Sequence, residues 1–255
     1  MSPYFDKKRV WVTGASAGIG RAVAHELAMR GATVIASARN REALNQLVKD
    51  CLPRSVLALP LDVTDRQANL QAAKMIGERF GGLDIALFNA GACEYVDVAR
   101  FDSALFERMI QTNFLSMVYG IETVLPLLRR SPHPHLVGMS STVAYAGLSR
   151  AEAYAASKAA IKNMLEGLRI DLRKERIPVS IICPGFVKTP LTERNDFPMP
   201  FAVSAEEAAK RIADGMAAQK EEIHFPKRFS LTFKLLSSLP SPLYSWIGSH
   251  MVGPS

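Results

Sequence analysis

The chain has 255 residues, of which 48% are hydrophobic and 22% charged, values that exclude a disordered or low-complexity protein. At about 150 residues per domain this length allows one or two domains, and doubly wound α/β folds reach it as one unit. Thirty-one Lys and Arg against 24 Asp and Glu give a net charge of +7, spread along the chain except for a basic bias in residues 1–58. No basic block or aromatic-basic stripe occurs, so nucleic acid is not an expected partner. Cys51, Cys93 and Cys183 lie far apart without a CxxC pair. That speaks against a disulfide scaffold, a zinc site or a redox dithiol and points to a reducing, cytoplasmic setting. The start shows no apolar signal-peptide core. The longest uncharged run, residues 235–255, contains Pro240, Pro242 and six serines, which is wrong for a membrane span.

Apolar β-branched bursts alternate with stretches of helical period. Arg9–Thr13 reads as a strand; Ile19, Val23 and Leu27 then repeat on one helix face, with Gly31 as a stop. Residues 33–37 form a second strand and 40–50 a helix; 56–59 and 84–88 read as strands with helix between them. Longer helices are expected over about 102–129 and 152–175, with strands at 135–139 and 179–182. These strands are short and continuously apolar, as expected when helices cover both faces of a sheet. Repeated βα units predict an α/β fold, a single doubly wound (Rossmann) parallel sheet whose ligand site lies at the carboxyl ends of the strands. Residues 1–222 are expected to form one cofactor-binding and catalytic domain, and 223–255 an extension packed on it or on a membrane surface.

Thr13-Gly-Ala-Ser-Ala-Gly-Ile-Gly20 joins the first strand to the first helix. Gly14 permits the sharp turn, while Gly18 and Gly20 let a pyrophosphate approach backbone N–H groups at the helix N-terminus. The spacing is GxxxGxG rather than GxGxxG, and a glycine-rich turn alone is weak evidence. The second strand ends Ser37-Ala38-Arg39. An acid there would bind a ribose 2′-OH; Arg39 instead offers a guanidinium to a 2′-phosphate, favouring NADP over NAD, unless it is an ordinary surface arginine. Tyr154 and Lys158, four apart in a helical segment, share one face. A neighbouring ammonium favours the phenolate and would make the phenol a tuned acid or base. In isolation such a pair is more often surface decoration. His133 and His135 flank Pro134 and read as a solvated loop rather than a metal pair, and Cys93 as a small buried hydrophobe rather than a cleft residue.

Taken together, Thr13 to Gly20, Asp62-Val63, Asn89-Ala-Gly91, Asn113, Ser140-Ser141, Tyr154-x-x-x-Lys158, and Pro184-Gly185 with Thr189 resemble the short-chain dehydrogenase/reductase family over roughly residues 8–190. The resemblance implies an NADP(H) site at Gly14, Ser16, Gly18, Ile19, Gly20 and Arg39, with Asp62 and Val63 on the adenine. It implies that Asn89, Ala90 and Gly91 border the cofactor and that Pro184, Gly185, Val187 and Thr189 close over the nicotinamide end. Ser141, thirteen residues before Tyr154, is preferred to Ser140 as the catalytic serine. In this picture Tyr154 exchanges a proton with a carbonyl oxygen and Ser141 hydrogen-bonds that oxygen. Lys158 lowers the Tyr154 pKa and binds the nicotinamide ribose, and Asn113 holds a water that relays protons from Lys158. Two features depart from the family's pattern. Phe88 stands where a second asparagine is common, and no Lys or Arg occupies position 17.

Residues 190–205, with Phe197, Met199 and Phe201, fall where the family carries a substrate lid, and Ser204 is placed to cap a following helix. Beyond a short strand near Ile223, the chain lacks the family's glycine-rich tail. Phe229, Phe233 and Leu236 recur at helical spacing, and no acid follows Glu222. This extension has three readings: a substrate wall, an interfacial helix on an anionic membrane, or a contact between copies in a homo-oligomer. The expected activity is NADP-dependent interconversion of a ketone or aldehyde and an alcohol, on an apolar substrate. The alternatives are a 3-oxoacyl-thioester reductase acting on an acyl carrier, or a non-catalytic NADP sensor.

Overall fold

A computed structural model describes residues 3–251. Residues 1–2 and 252–255, the outermost parts of the expected domain and extension, lie outside the described residues. Seven strands, β1 (Arg9–Thr13), β2 (Thr33–Ala38), β3 (Val56–Pro60), β4 (Ile85–Phe88), β5 (His135–Met139), β6 (Val179–Pro184) and β7 (Glu222–Phe225), form one parallel sheet in the order β3-β2-β1-β4-β5-β6-β7. The order reverses between β1 and β4, which opens a crevice at their carboxyl ends. β7 spans the division expected at residue 222 and belongs to the sheet.

Successive strand residues point to opposite faces, and the core divides accordingly. Val10 and Val12 join Val34 and Ala36 on one face, under α1 (Gly18–Met29), α2 (Arg41–Asp50) and α7 (Ala205–Ala217). Trp11 and Ile35 point the other way, into a cluster with α3 (Arg66–Phe80), α5 (Ser116–Leu128) and α6 (Glu152–Leu172). The inner strands are covered on both sides and their sequences lose alternation, whereas the edge strand β7, Glu222-Ile-His-Phe225, keeps it, with Ile223 and Phe225 buried. Trp11 is fully buried and donates its indole N–H to the Ser37 hydroxyl at 2.8 Å, so its polar edge is satisfied.

The helix expected over 102–129 is not continuous. α4 (Ser103–Met109) passes through a π-helical turn, Ile110–Leu115, before α5 begins. Another difference concerns His135, which is not in a solvated loop but fully buried at the start of β5. Its Nδ1 lies 3.0 Å from the Tyr4 hydroxyl and its Nε2 2.8 Å from the Ser180 hydroxyl. Beyond β7 the chain forms α8 (Lys227–Ser237) and α9 (Ser241–Met251). Among the described residues, no helix is long and apolar enough to cross a membrane.

Candidate active site

A cleft of about 780 Å³ opens at the carboxyl ends of the strands, where the sheet order reverses. Its floor at one end is the turn between β1 and α1. Gly14 holds φ +69°, and a Cβ there would lie 2.8 Å from the Ala90 Cα and the Asn89 amide. The turn therefore presses against the segment after β4, where Asn89 Nδ2 donates to the carbonyls of Thr13 at 3.1 Å and Gly14 at 3.2 Å. α1 starts without a side-chain cap and without an acid in its first turn. Its free N–H groups and dipole leave a place for an anion beside Ser16, Ala17 and Gly18, all of which line the cleft.

Farther along the same wall, Arg39 and Asp62 line the cleft and are exposed. The Asp62 carboxyl is held below its ordinary value, first by the Thr64 N–H and hydroxyl at 2.9 and 2.7 Å, with the Arg39 charge adding to them. Ile19, Gly20, Val63, Asn89, Ala90 and Gly91 also face this space.

At the other end α6 brings Tyr154 and Lys158 to the cleft. Lys158 is 4% exposed, and its Nζ donates to the Met139 carbonyl at 3.0 Å. Burial pushes this ammonium down to about 8, with Cys93 and Cys183 partly opposing the shift. The Tyr154 phenol is raised above its ordinary value by burial, with Cys93 and Tyr95 adding to it and the Ser141 hydroxyl working the other way. The lowering of the phenol expected from Lys158 is thus absent here, because desolvation dominates both groups and moves them in opposite directions. Tyr154 is a neutral phenol at neutral pH, the form that donates a proton.

The two serines after β5 separate by their partners. Ser140 lines the cleft but donates its hydroxyl to the Lys158 carbonyl at 2.9 Å, bracing α6. Ser141 is buried beside the Tyr154 phenol, with a longer 3.4 Å contact to the Pro184 carbonyl. Asn113 sits in the π turn, fully buried. Its amide donates to the Ala92 carbonyl at 3.0 Å and to the Ser157 hydroxyl at 2.9 Å, and its Oδ1 accepts the Ala92 N–H at 2.7 Å. The side chain is therefore occupied by protein groups that join the segment after β4 to α6.

At and beyond the end of β6, Pro184, Thr189, Pro190 and Leu191 line the cleft. Gly185 and Val187 do not: Gly185 donates its N–H to the Phe225 carbonyl at 2.7 Å, and Val187 is in the core, bridged to Val203. The segment beyond Thr189 crosses to the opposite wall. The Tyr95 hydroxyl donates to Asn195 Oδ1 at 2.6 Å, the Tyr95 and Phe197 rings meet edge-on at 5.7 Å, and Arg150 pairs with Asp196 at 3.1 Å. A row of rings continues from Phe197 through Phe186 and Phe229 to Phe233, with centroids 6.0, 5.2 and 4.7 Å apart.

Glu94, Arg108 and Thr112 also line the cleft and carry no motif signal; the Arg108–Glu94 pair at 2.9 Å exists only through the packing of α4 on the loop after β4. Cys93 is half-buried rather than fully buried, its thiol pushed up to about 11 by burial, with Tyr95 and Lys158 opposing. Phe88 lies over Gly120, where a Cβ would overlap the ring, so the position of the family's second asparagine is filled by core packing. Among the described residues no group of three His, Cys, Asp or Glu could hold a metal ion.

The short chain dehydrogenase family model matches residues 8–198. The chain belongs to the short-chain dehydrogenase family. A Myxococcus xanthus (strain DK1622) protein called an uncharacterized oxidoreductase is 36% identical over 91% of this chain and 93% of its own length. An uncharacterized oxidoreductase of Staphylococcus haemolyticus (strain JCSC1435) is 33% identical over 73% of this chain and 80% of its own length. A short-chain dehydrogenase from Streptomyces avermitilis matches the fold with TM-score 0.82 at 24% identity, covering 96% of this chain and 98% of its own. A short chain dehydrogenase/reductase from Burkholderia phymatum, solved in complex with NAD, matches with TM-score 0.84 at 22% identity over 91% of this chain and 93% of its own. This short-chain dehydrogenase is accordingly an oxidoreductase, and its cleft lies where the doubly wound fold places ligands.

Proposed function

We propose that this oxidoreductase uses NADP(H) to interconvert an apolar ketone or aldehyde and the corresponding alcohol. The observation that carries the reading is one continuous cleft with an uncapped helix N-terminus at one end and the Tyr154 and Lys158 side chains at the other, the Ser141 hydroxyl lying against the Tyr154 phenol just outside the cleft lining. The donor set suits a dinucleotide. Ser16, Gly18, Ile19 and Gly20 offer backbone N–H groups to a pyrophosphate, Asp62 and Val63 border an adenine, and Asn89, Ala90 and Gly91 flank the span between the two ends. Tyr154 and Lys158 meet the far ribose, with Pro184 and Thr189 beside them and Gly185 and Val187 acting only through the backbone they shape. When bound, the dinucleotide supplies the hydride.

The rest falls to the chain. Tyr154, neutral at working pH, donates its proton to the carbonyl oxygen as negative charge develops there. Ser141 hydrogen-bonds the same oxygen, which lowers the barrier to that charge. Lys158 and Asn113 hold α6 and the Ala92 backbone in place, and the lid with its ring row keeps water from the reacting carbon. Arg39, exposed on the cleft wall at the end of β2, favours a 2′-phosphate. One charge-assisted hydrogen bond contributes about 1.5–3 kcal/mol, roughly a 10- to 150-fold preference for NADP.

The test is dinucleotide oxidation against ketones and aldehydes graded from polar to long-chain apolar. The expected result is turnover that rises with chain length and prefers NADPH by the factor above, a preference lost in Arg39→Ala. Tyr154→Phe should lower kcat by about 10²–10⁴ while NADPH still binds. Equal use of NADH would overturn the Arg39 assignment. Tight NADPH binding with no turnover on any carbonyl would overturn the catalytic reading in favour of a sensor.

A further inference from the structure

We propose that the outward face of the C-terminal helices α8 and α9 docks on an anionic lipid surface. The inward faces are committed to the fold. Phe229 and Phe233 of α8 join the ring row beside Gly185, and Lys234 pairs with Glu222 at 2.8 Å. The Tyr244 hydroxyl of α9 donates to the Gly147 carbonyl, in the loop between Ser141 and Tyr154.

The outward faces carry large apolar side chains that the chain covers only in part. Leu231 and Leu235 are 55% and 66% exposed, and Leu243 and Trp246 are 44% and 61% exposed. At 3.6 residues per turn, Leu231 and Leu235 share one stripe of α8, and exposed Lys227 and Arg228 fall on either side of it. On α9, Leu243 and Trp246 lie one turn apart on one face, with the His250 ring tilted at 45° to the Trp246 ring and 4.6 Å from it. Leucines flanked by long cationic side chains, with a tryptophan on the neighbouring helix, suit an interface: apolar groups enter the acyl boundary while the cations reach headgroup phosphates.

Charge selects this occupant over a second copy of the chain. A two-fold contact through this face would set the patch against itself. No Asp or Glu follows Glu222 in the sequence, and Glu222 already serves Lys234 and Tyr145. Among the charged side chains of α8 and α9, Lys227 and Arg228 would then meet only like charges, whereas an anionic surface neutralises both. The contacts of α8 with the ring row and of α9 with Gly147 place the docked face beside the lid end of the cleft.

The experiment uses the full chain and vesicles of phosphatidylcholine with or without phosphatidylglycerol, and it reads no turnover, so it stands or fails apart from the proposed activity. The chain has two tryptophans. Trp11 is fully buried and Trp246 is not, so a blue shift of emission on adding vesicles reports α9. The expected result is such a shift, with co-sedimentation, on phosphatidylglycerol-containing vesicles. Omitting phosphatidylglycerol, or the change Lys227→Gln with Arg228→Gln, should weaken partitioning by about thirtyfold. Leu231→Ser with Leu235→Ser should weaken it by about a hundredfold, and the unchanged Trp11 emission shows that this variant is folded. Absence of shift and sedimentation, equal binding to pure phosphatidylcholine, or binding indifferent to the leucine changes would each overturn the proposal. So would a wild-type oligomer that the same leucine changes dissociate in sedimentation velocity, since the face would then belong to a second copy.

Discussion

Lys158 shows how one residue carries conflicting demands. It sits 4% exposed one helical turn from Tyr154, and burial draws its own ammonium down from 10.5 to about 8. Below pH 8 both folded and unfolded chains hold this proton, and the folded state bears the desolvation cost. Between pH 8 and 10.5 the unfolded chain binds the proton and the folded chain releases it, so this group makes stability rise with pH across that window. The gap in pKa corresponds to about 3 kcal/mol, an upper bound for one buried amine. Lys158→Met removes the titration. Urea melts at pH 7.5, 9 and 10.5 should therefore show wild type gaining on the variant by up to about 3 kcal/mol. Cys93, whose thiol the Lys158 charge draws down, is replaced by Ser in both proteins, and the remaining raised Tyr and Cys groups cancel in the difference. Parallel curves would mean that the amine is solvated in the folded state.

The π-helical turn Ile110–Leu115 joins the segment after β4 to α6 at the Tyr154 end of the cleft. It is built around Asn113, whose amide closes three hydrogen bonds to Ala92 and Ser157. Asn113→Ala leaves the part-buried N–H and carbonyl of Ala92 without their partner, while the Ser157 hydroxyl keeps its bond to the Tyr154 carbonyl; at about 1–3 kcal/mol for each of the two Ala92 groups, a loss of about 2 kcal/mol is expected. In a chain of this size that lowers Tm by about 4–8 °C, measurable by calorimetry. An unchanged Tm would show that water replaces the amide without cost. This turn was not legible in the sequence. A one-residue shift in the hydrogen-bond ladder leaves the apolar spacing from Ser103 to Leu128 almost intact, so the pattern reads as one helix. The strands, α1 and the Tyr154–Lys158 spacing were legible, because burial on both sheet faces and side-chain adjacency on one helix face depend on local period alone. Arg39 was legible for the same reason, since the end of β2 is a local event. The outward-facing character of Leu231 and Leu235 was not: Phe229 and Phe233, two residues away from them, are equally apolar, and only the tertiary packing of α8 decides which pair is covered.

At the scale of the whole molecule, chemistry and stability occupy opposite ends of the sheet. The cleft lies at the carboxyl ends of the strands, while the amino ends carry buried polar networks. Arg9 grips Asp84 at 2.8 Å, and His135 connects Tyr4, β5 and β6. The tautomer of that histidine follows from its neighbours. The Ser180 hydroxyl donates its proton to the Lys220 carbonyl at 2.6 Å, so Nε2 must carry the ring proton and Nδ1 must accept from Tyr4. Burial, with the Lys8 charge adding to it, pushes His135 down to about 3. The unfolded chain takes up this proton near pH 6.5 and the folded chain does not, so the unfolded state binds more protons across the interval. Stability therefore falls as pH drops from 6.5 towards 3, at about 1.4 kcal/mol per pH unit from this group. Asp84 does not mask the effect above pH 4.5: burial raises its carboxyl, but the bonds from Arg9 and Ser131 outweigh this and hold it below the ordinary carboxylate value. Denaturant unfolding at pH 7.0, 5.5 and 4.5 should show wild type losing about 2–3 kcal/mol relative to His135→Leu, whatever constant offset the lost hydrogen bonds impose. The remaining histidines are common to both proteins and drop out of the difference. Two parallel lines would mean that the ring takes up its proton at the same pH in the folded and unfolded chains, and a ring held neutral by burial would then be the wrong assignment.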